Sequence, residues 1–124
     1  MMKKLFLPAL MLSALLAGLP ARAEFVAASE KDAAPVTVAE AKLAGEHQVV
    51  VVEGHITGRA GTLNPEEYFF KDATDTVKVE INKDVWRGQK VSPDTLIRIT
   101  GEVDHNPFNK TVEIEVRHLE IIGK

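Results

Sequence analysis

Four histidines, His47, His55, His105 and His118, are the first side chains of this 124-residue chain to weigh as metal ligands. Zinc takes three or four ligands converging at bonding distance, usually including a close pair such as His-x-x-x-His. No two of the four stand at that spacing, so the pattern predicts exposed or rim histidines and no metal cofactor. Asp104 beside His105 keeps a metal-binding stress protein open as an alternative. Nucleophilic catalysis needs a Cys, Ser or Thr activated by a base. The chain has no Cys and no Gly-x-Ser-x-Gly elbow; Ser29 stands in a small-residue stretch and Ser92 in a turn before Pro93. Gly54, Gly58 and Gly61 lack the Gly-Lys pair of a phosphate-binding loop and precede a strand. Glu66 with Glu67, or Glu113 with Glu115, could supply an acid and a base. Glu113 and Glu115, however, alternate outward on a strand, and no neighbour in sequence would raise either pKa. The expectation is a protein that is not an enzyme.

Recognition by exposed side chains is the chemistry that remains. Alternation along Tyr68–Asp72 and Thr76–Ile81 sends Tyr68, Phe70, Val77, Val79 and Ile81 inward. Phe69, Lys71, Lys78 and Glu80 then share an outer face, with His55 and Arg59 from the edge of the preceding strand beside it. An exposed aromatic can stack on a sugar ring or a base while Lys and Glu hydrogen-bond hydroxyls or amides. Phe69 has a second reading, as a residue packed under a helix or loop. Tyr68, Phe70 and Trp86 are predicted in the core.

The elements that position these residues follow from the periodicity. Thr37-Val38-Ala39-Glu40 fits a capping box and opens a short helix, Val38–Ala44, stopped at Gly45. Beyond it the hydrophobic period is two, in five segments separated by turn residues. The strands are predicted over His47–Thr57, with a bend or bulge at Gly54, then Tyr68–Asp72, Thr76–Ile81, Leu96–Val103 and Thr111–Ile122. Gly58–Pro65 and Asp104–Lys110 are loops, and Asp84–Arg87 forms one helical turn with Asn82 or Lys83 near its start. Five strands, a bent first strand and a helical turn between strands three and four predict an all-β fold: a five-stranded OB-fold Greek-key barrel with its open end plugged by Trp86.

Five ordered blocks resemble a known family. They are Tyr68-Phe69-Phe70-Lys71-Asp72-Ala73, Val77-Lys78-Val79-Glu80-Ile81, Trp86-Arg87-Gly88-Gln89-Lys90-Val91-Ser92-Pro93, Gly101-Glu102-Val103-Asp104 and Val112-Glu113-Ile114-Glu115-Val116. Together they are similar to the bacterial OB-fold (BOF) family, the YgiW/YdeI type, over about Val38 to Ile121. That family's pattern has acidic residues where Glu80 and Glu115 stand, and Gly where this chain has Asp75. The resemblance implies a non-enzymatic periplasmic protein that helps the envelope tolerate oxidants, toxic metals, acid or cationic antimicrobial peptides.

Location and charge bound the partners. Lys3 and Lys4 precede an apolar run, Leu5–Leu19, and Ala21-Arg22-Ala23 follows as a small-x-small site. This predicts a signal peptide at 1–23, cleavage after Ala23, a flexible leader at 24–36 and a periplasmic domain at 37–124 with no membrane anchor. Losing Lys3, Lys4 and Arg22 leaves 12 basic residues against 18 acidic ones, a net −6. Affinity for phosphate backbones comes from clustered Lys and Arg, so nucleic acid is not an expected partner. The expected function is ligand binding in the cell envelope, with a glycan fragment or peptide on the Phe69 face. The alternatives are a module docking an envelope protein such as a porin by strand addition, and the metal-binding protein above.

Overall fold

The computed structural model describes residues 33–123; the predicted signal peptide and most of the predicted leader lie outside the described residues. Val36, at the leader's end, donates its N–H to the Val51 carbonyl (2.8 Å) and bridges to Val52. Thr37 then caps α1 (Val38–Lys42): its Oγ1 accepts the Glu40 N–H (3.1 Å) and its own N–H donates to Glu40 Oε1 (2.9 Å). The predicted box is therefore formed, although the helix ends two residues earlier than expected. Five residues are too few to hold a helix alone. A turn from elsewhere in the chain supplies the rest: Asp72 Oδ2 accepts the Val38 N–H (2.9 Å) and Thr74 Oγ1 the Ala39 N–H (3.1 Å). Lys42 Nζ donates to Asp75 Oδ2 (3.1 Å) and to the Thr76 carbonyl (3.0 Å), so Asp75 anchors the helix's far end.

Five strands follow: β1 (Val49–Arg59), β2 (Glu67–Lys71), β3 (Thr76–Glu80), β4 (Leu96–His105) and β5 (Val112–Gly123), with α2 (Lys83–Trp86) between β3 and β4. They close into a barrel in the order β1-β2-β3-β5-β4, with β4 returning to β1. Every pairing is antiparallel except β3 with β5. This is the OB-fold arrangement that the sequence pattern predicted.

β1 closes the barrel by serving two neighbours. Residues 49–54 pair with β4 and residues from His55 onward with β2. The change of partner falls at Gly54, where an added Cβ would lie 2.3 Å from the Lys71 carbonyl oxygen and 3.0 Å from the Phe70 ring. Only glycine permits that approach. A bulge between Ile56 and Gly58 lets Gly58 and Arg59 continue the ladder, so the strand outruns its predicted end at Thr57. It begins later than predicted, because His47 takes a left-handed turn (φ 68°). β4 also runs past Val103 to His105, and the β4–β5 loop is correspondingly shorter.

Phe70, Val77, Val79, Ile81, Ile97, Ile99, Val103 and Ile114 fill the interior as one cluster, each 3 % exposed or less. Asn82 caps α2 through its Oδ1 and the Val85 N–H (3.1 Å). Left-handed Arg87 (φ 53°) and Gly88 (φ 75°) then stop the helix after one turn, with Trp86 packed half-buried on the core at the barrel's end.

Candidate binding face

The register of β2, β3 and β5 builds the outer face in two cross-strand rows. Phe69 stands opposite Lys78, which stands beside Glu113; Glu67 stands opposite Glu80, which stands beside Glu115. Directly opposed residues on one face lie within side-chain reach of each other. Phe69 is 42 % exposed. Its partner across β1 is Gly58, whose missing side chain would meet nothing within 4 Å, so that flank of the ring is open. Of the two readings of Phe69, packing under a helix or loop is the one that the structure does not show.

The carboxylates around Lys78 are crowded. Glu67 Oε1 lies 4.0 Å from Lys78 Nζ, and Glu80 Oε2 accepts from Asn64 Nδ2 at 3.4 Å. Burial pushes the Glu113 carboxyl up to about 7, helped by a hydrogen bond to Glu67 and by the charges of Glu67 and Glu80, with Lys78 pulling the other way. Nothing in the sequence around Glu113 points to a raised carboxyl, because the neighbours responsible come from β2 and β3. A half-buried acid raised to about 7 can hold or release a proton near neutral pH, and can modulate binding on its face.

The remaining predicted residues divide. His55 and Lys71 are cross-strand partners at the far end of the same face, and His55 Nδ1 lies 3.0 Å from the Thr95 carbonyl oxygen. They border a shallow hollow of about 510 Å³ with Glu53, Asp72 and Pro93. Arg59 leaves the face. The bulge at Thr57 pairs it with Tyr68, and its guanidinium carbon sits 5.4 Å from the centre of the Tyr68 ring while Nη1 donates to the Pro65 carbonyl (2.7 Å). Tyr68 in turn meets Trp86 edge-on, with ring centres 5.5 Å apart and planes at 77°. These three side chains border a second groove of about 450 Å³ at the end of the barrel, between the last residues of β1 and the segment after α2, adjoining the first hollow at Thr57 and Pro93. Among the described residues, no three His, Asp or Glu side chains are grouped to hold a metal ion.

Residues 21–121 match the family model described as Bacterial OB fold (BOF) protein. The chain belongs to the BOF family. It is 36 % identical over 87 residues to Protein YgiW of Escherichia coli strain K12, covering 70 % of this chain and 63 % of YgiW, so it spans just under two thirds of that relative's length. The Calcium-regulated OB-fold protein CarO of Pseudomonas aeruginosa is 34 % identical over 86 residues, 69 % of this chain and 70 % of CarO. The solved structure of the E. coli ygiW protein superimposes with a TM-score of 0.66 at 33 % identity, covering 73 % of this chain and 91 % of that one.

Within the BOF barrel the two surfaces differ in legibility. Alternation in β2 and β3 was enough to bring Phe69, Lys78 and Glu80 together. The end groove was missed because Tyr68 and Trp86 read as core, which they partly are, and because a bulge changes the facing of every residue after it. The available signal was Thr57-Gly58-Arg59, a glycine and a cation at the end of a strand already marked as bent.

Proposed function

We propose that this BOF protein is a non-catalytic recognition module of the bacterial envelope, exported by residues 1–23, which supports stress tolerance by binding a basic peptide or a glycan fragment on the Phe69–Lys78 face. The observation that carries this reading is Phe69, an aromatic ring left 42 % exposed and open on its Gly58 flank, beside Lys78 and the carboxylates of Glu67, Glu80 and Glu113. Exposed aromatics in a polar setting supply stacking area, while the charges give orientation and charge preference. Four glutamates against one lysine in the two rows favour a partner with positive charge. NMR titration with a cationic peptide, and separately with soluble peptidoglycan fragments, tests this. Shifts centred on Phe69, Lys78 and Glu113, lost in Phe69→Ala, are expected; shifts elsewhere, or none with either ligand, overturn it.

Strand addition to another envelope protein has one observation in its favour. Among the described residues, β1 from His55 to Arg59 has β2 on one side and no strand on the other. Capture of a partner that survives Phe69→Ala but is lost on Thr57→Pro would select this reading instead.

A further inference from the structure

We propose that the groove at the barrel's end is a second binding site, specific for a small organic anion built on a flat ring. Its rings and charges, Tyr68, Trp86, Arg59 and Lys90, are not those of the Phe69–Lys78 face, although Gly58 borders both, and the proposal does not depend on that face's function.

The groove exists because β1 leaves β4 at Gly54. Beyond His55, whose Nδ1 still reaches the Thr95 carbonyl oxygen, its outer edge faces the segment after α2 with no strand between them among the described residues, and Pro93 has no N–H with which to close the gap as a strand would. Ile56 and Val91 give the groove an apolar lining, and the rings of Tyr68 and Trp86 give it two aromatic walls. A space of about 450 Å³ suits one ring system with a short substituent.

Charge sets the ligand's class. The chain as a whole has more acidic than basic residues, 18 against 15, yet the groove is lined by Arg59 and Lys90 and by no Asp or Glu. Among the described residues, neither cation has a carboxylate within ion-pair distance, whereas Arg98 is held by Glu53 and Glu120 and Lys42 by Asp75. Arg59 is also aimed: the bond from Nη1 to the Pro65 carbonyl and the contact with Tyr68 hold the guanidinium over the Tyr68 ring. A guanidinium has five N–H donors in a rigid fork, which matches a carboxylate or a phosphate. The geometry therefore seats a ring against Tyr68 and Trp86 with its anionic group toward Arg59 and Lys90. Phosphate and carboxylate satisfy the same donors.

Trp86 is the only tryptophan, so its fluorescence reads the groove directly. The full mature chain is titrated with adenosine 5′-monophosphate, with 2-naphthoate and with uncharged adenosine, each also followed by the NMR signal of the Trp86 indole N–H. Saturable changes are expected with one or both anions. Adenosine 5′-monophosphate alone would point to a phosphate-bearing ligand, and 2-naphthoate alone to a carboxylate. Arg59→Gln, and separately Lys90→Gln, should each weaken the response about tenfold, the scale of losing one charge-assisted hydrogen bond. Phe69→Ala should leave it unchanged, and unaltered spectra elsewhere would show that the variants are folded. Adenosine binding as tightly as its monophosphate, or affinity indifferent to both charge removals, would overturn the assignment of an anion. No saturable change with any of the three would overturn the site, and it would leave the Phe69–Lys78 reading untouched.

Discussion

Glu113→Gln should stabilise this protein at alkaline pH and leave it almost unaltered at acid pH. Glu113 is faced by Glu67 of β2, by Lys78 and Glu80 of β3, and by Asp104, its register partner on β4. Its carboxyl rises from an ordinary 4.5 to about 7, with burial the largest cause and the Glu67 hydrogen bond next. The folded state thus keeps a proton that the unfolded chain has already lost, and stability falls as pH climbs from about 4.5 to about 7. Above 7 the penalty is complete; below 4.5 both states are protonated and it vanishes. At about 1.4 kcal/mol for each pH unit the unscreened penalty would be about 3 kcal/mol. The group is only half-buried, and solvent screening reduces this to about 1 kcal/mol. In a domain of this size that corresponds to a rise in Tm of about 4–8 °C for the glutamine variant at pH 8. Thermal unfolding followed by circular dichroism at pH 4.5, 6 and 8 checks it. Equal Tm values for variant and wild type at pH 8, or a gain of the same size at pH 4.5, would refute the assignment of the raised carboxyl to Glu113.

Three further outcomes are expected. Asp72→Ala should destabilise the fold by about 1–2 kcal/mol and selectively speed amide exchange across Val38–Leu43, because Asp72 caps α1. Burial acts to raise the Asp72 carboxyl, but bonds from the Thr74 side chain and from the Val38, Thr74 and Asp75 N–H groups outweigh it and hold it below its ordinary 3.8. Its contribution is therefore present above about pH 4 and is lost as pH falls through the depressed value, so wild type and Asp72→Ala should converge in acid unfolding curves. Gly54→Ala should cost about 2–4 kcal/mol by urea unfolding, since the new Cβ meets backbone that cannot move aside alone. Finally, a cationic peptide bound on the Phe69–Lys78 face should bind more tightly at pH 8 than at pH 6, as Glu113 ionises, and Glu113→Gln should flatten that dependence in calorimetry.

What the sequence revealed, and what it hid, divides by the range of the interactions. The strand faces were legible because alternation is local: Val77, Val79 and Ile81 on one side and Lys78 and Glu80 on the other need no knowledge of neighbours. The capping box at Thr37 and Glu40 was legible for the same reason. The reason for Asp75 was not, since Lys42 lies 33 positions away and reaches it only after the barrel closes. Glu113 is a sharper case. On its own strand it is one of several outward acids, and only the parallel pairing of β5 with β3, the last contact to be inferred from a sequence, brings it beside Lys78 and near Glu67 and Glu80.

Arg59 shows how a single extra residue can change a charge's destination. Had the ladder between β1 and β2 run without the bulge at Thr57, side-chain parity would have kept Arg59 on the side of His55, above the Phe69 face, where it would offset the glutamates. The bulge instead pairs Arg59 with Tyr68, removing a cation from the acidic face and delivering it to the aromatic groove. One local irregularity therefore sharpens both surfaces, leaving the face of β2, β3 and β5 with carboxylates around Lys78 and the groove at the barrel's end lined by Arg59 and Lys90 and by no Asp or Glu. The bend at Gly54 and the bulge at Thr57 lie three residues apart on one strand. The first opens the groove and the second supplies it with charge, so the shape and the polarity of the barrel's end have a common origin in how β1 turns from β4 to β2.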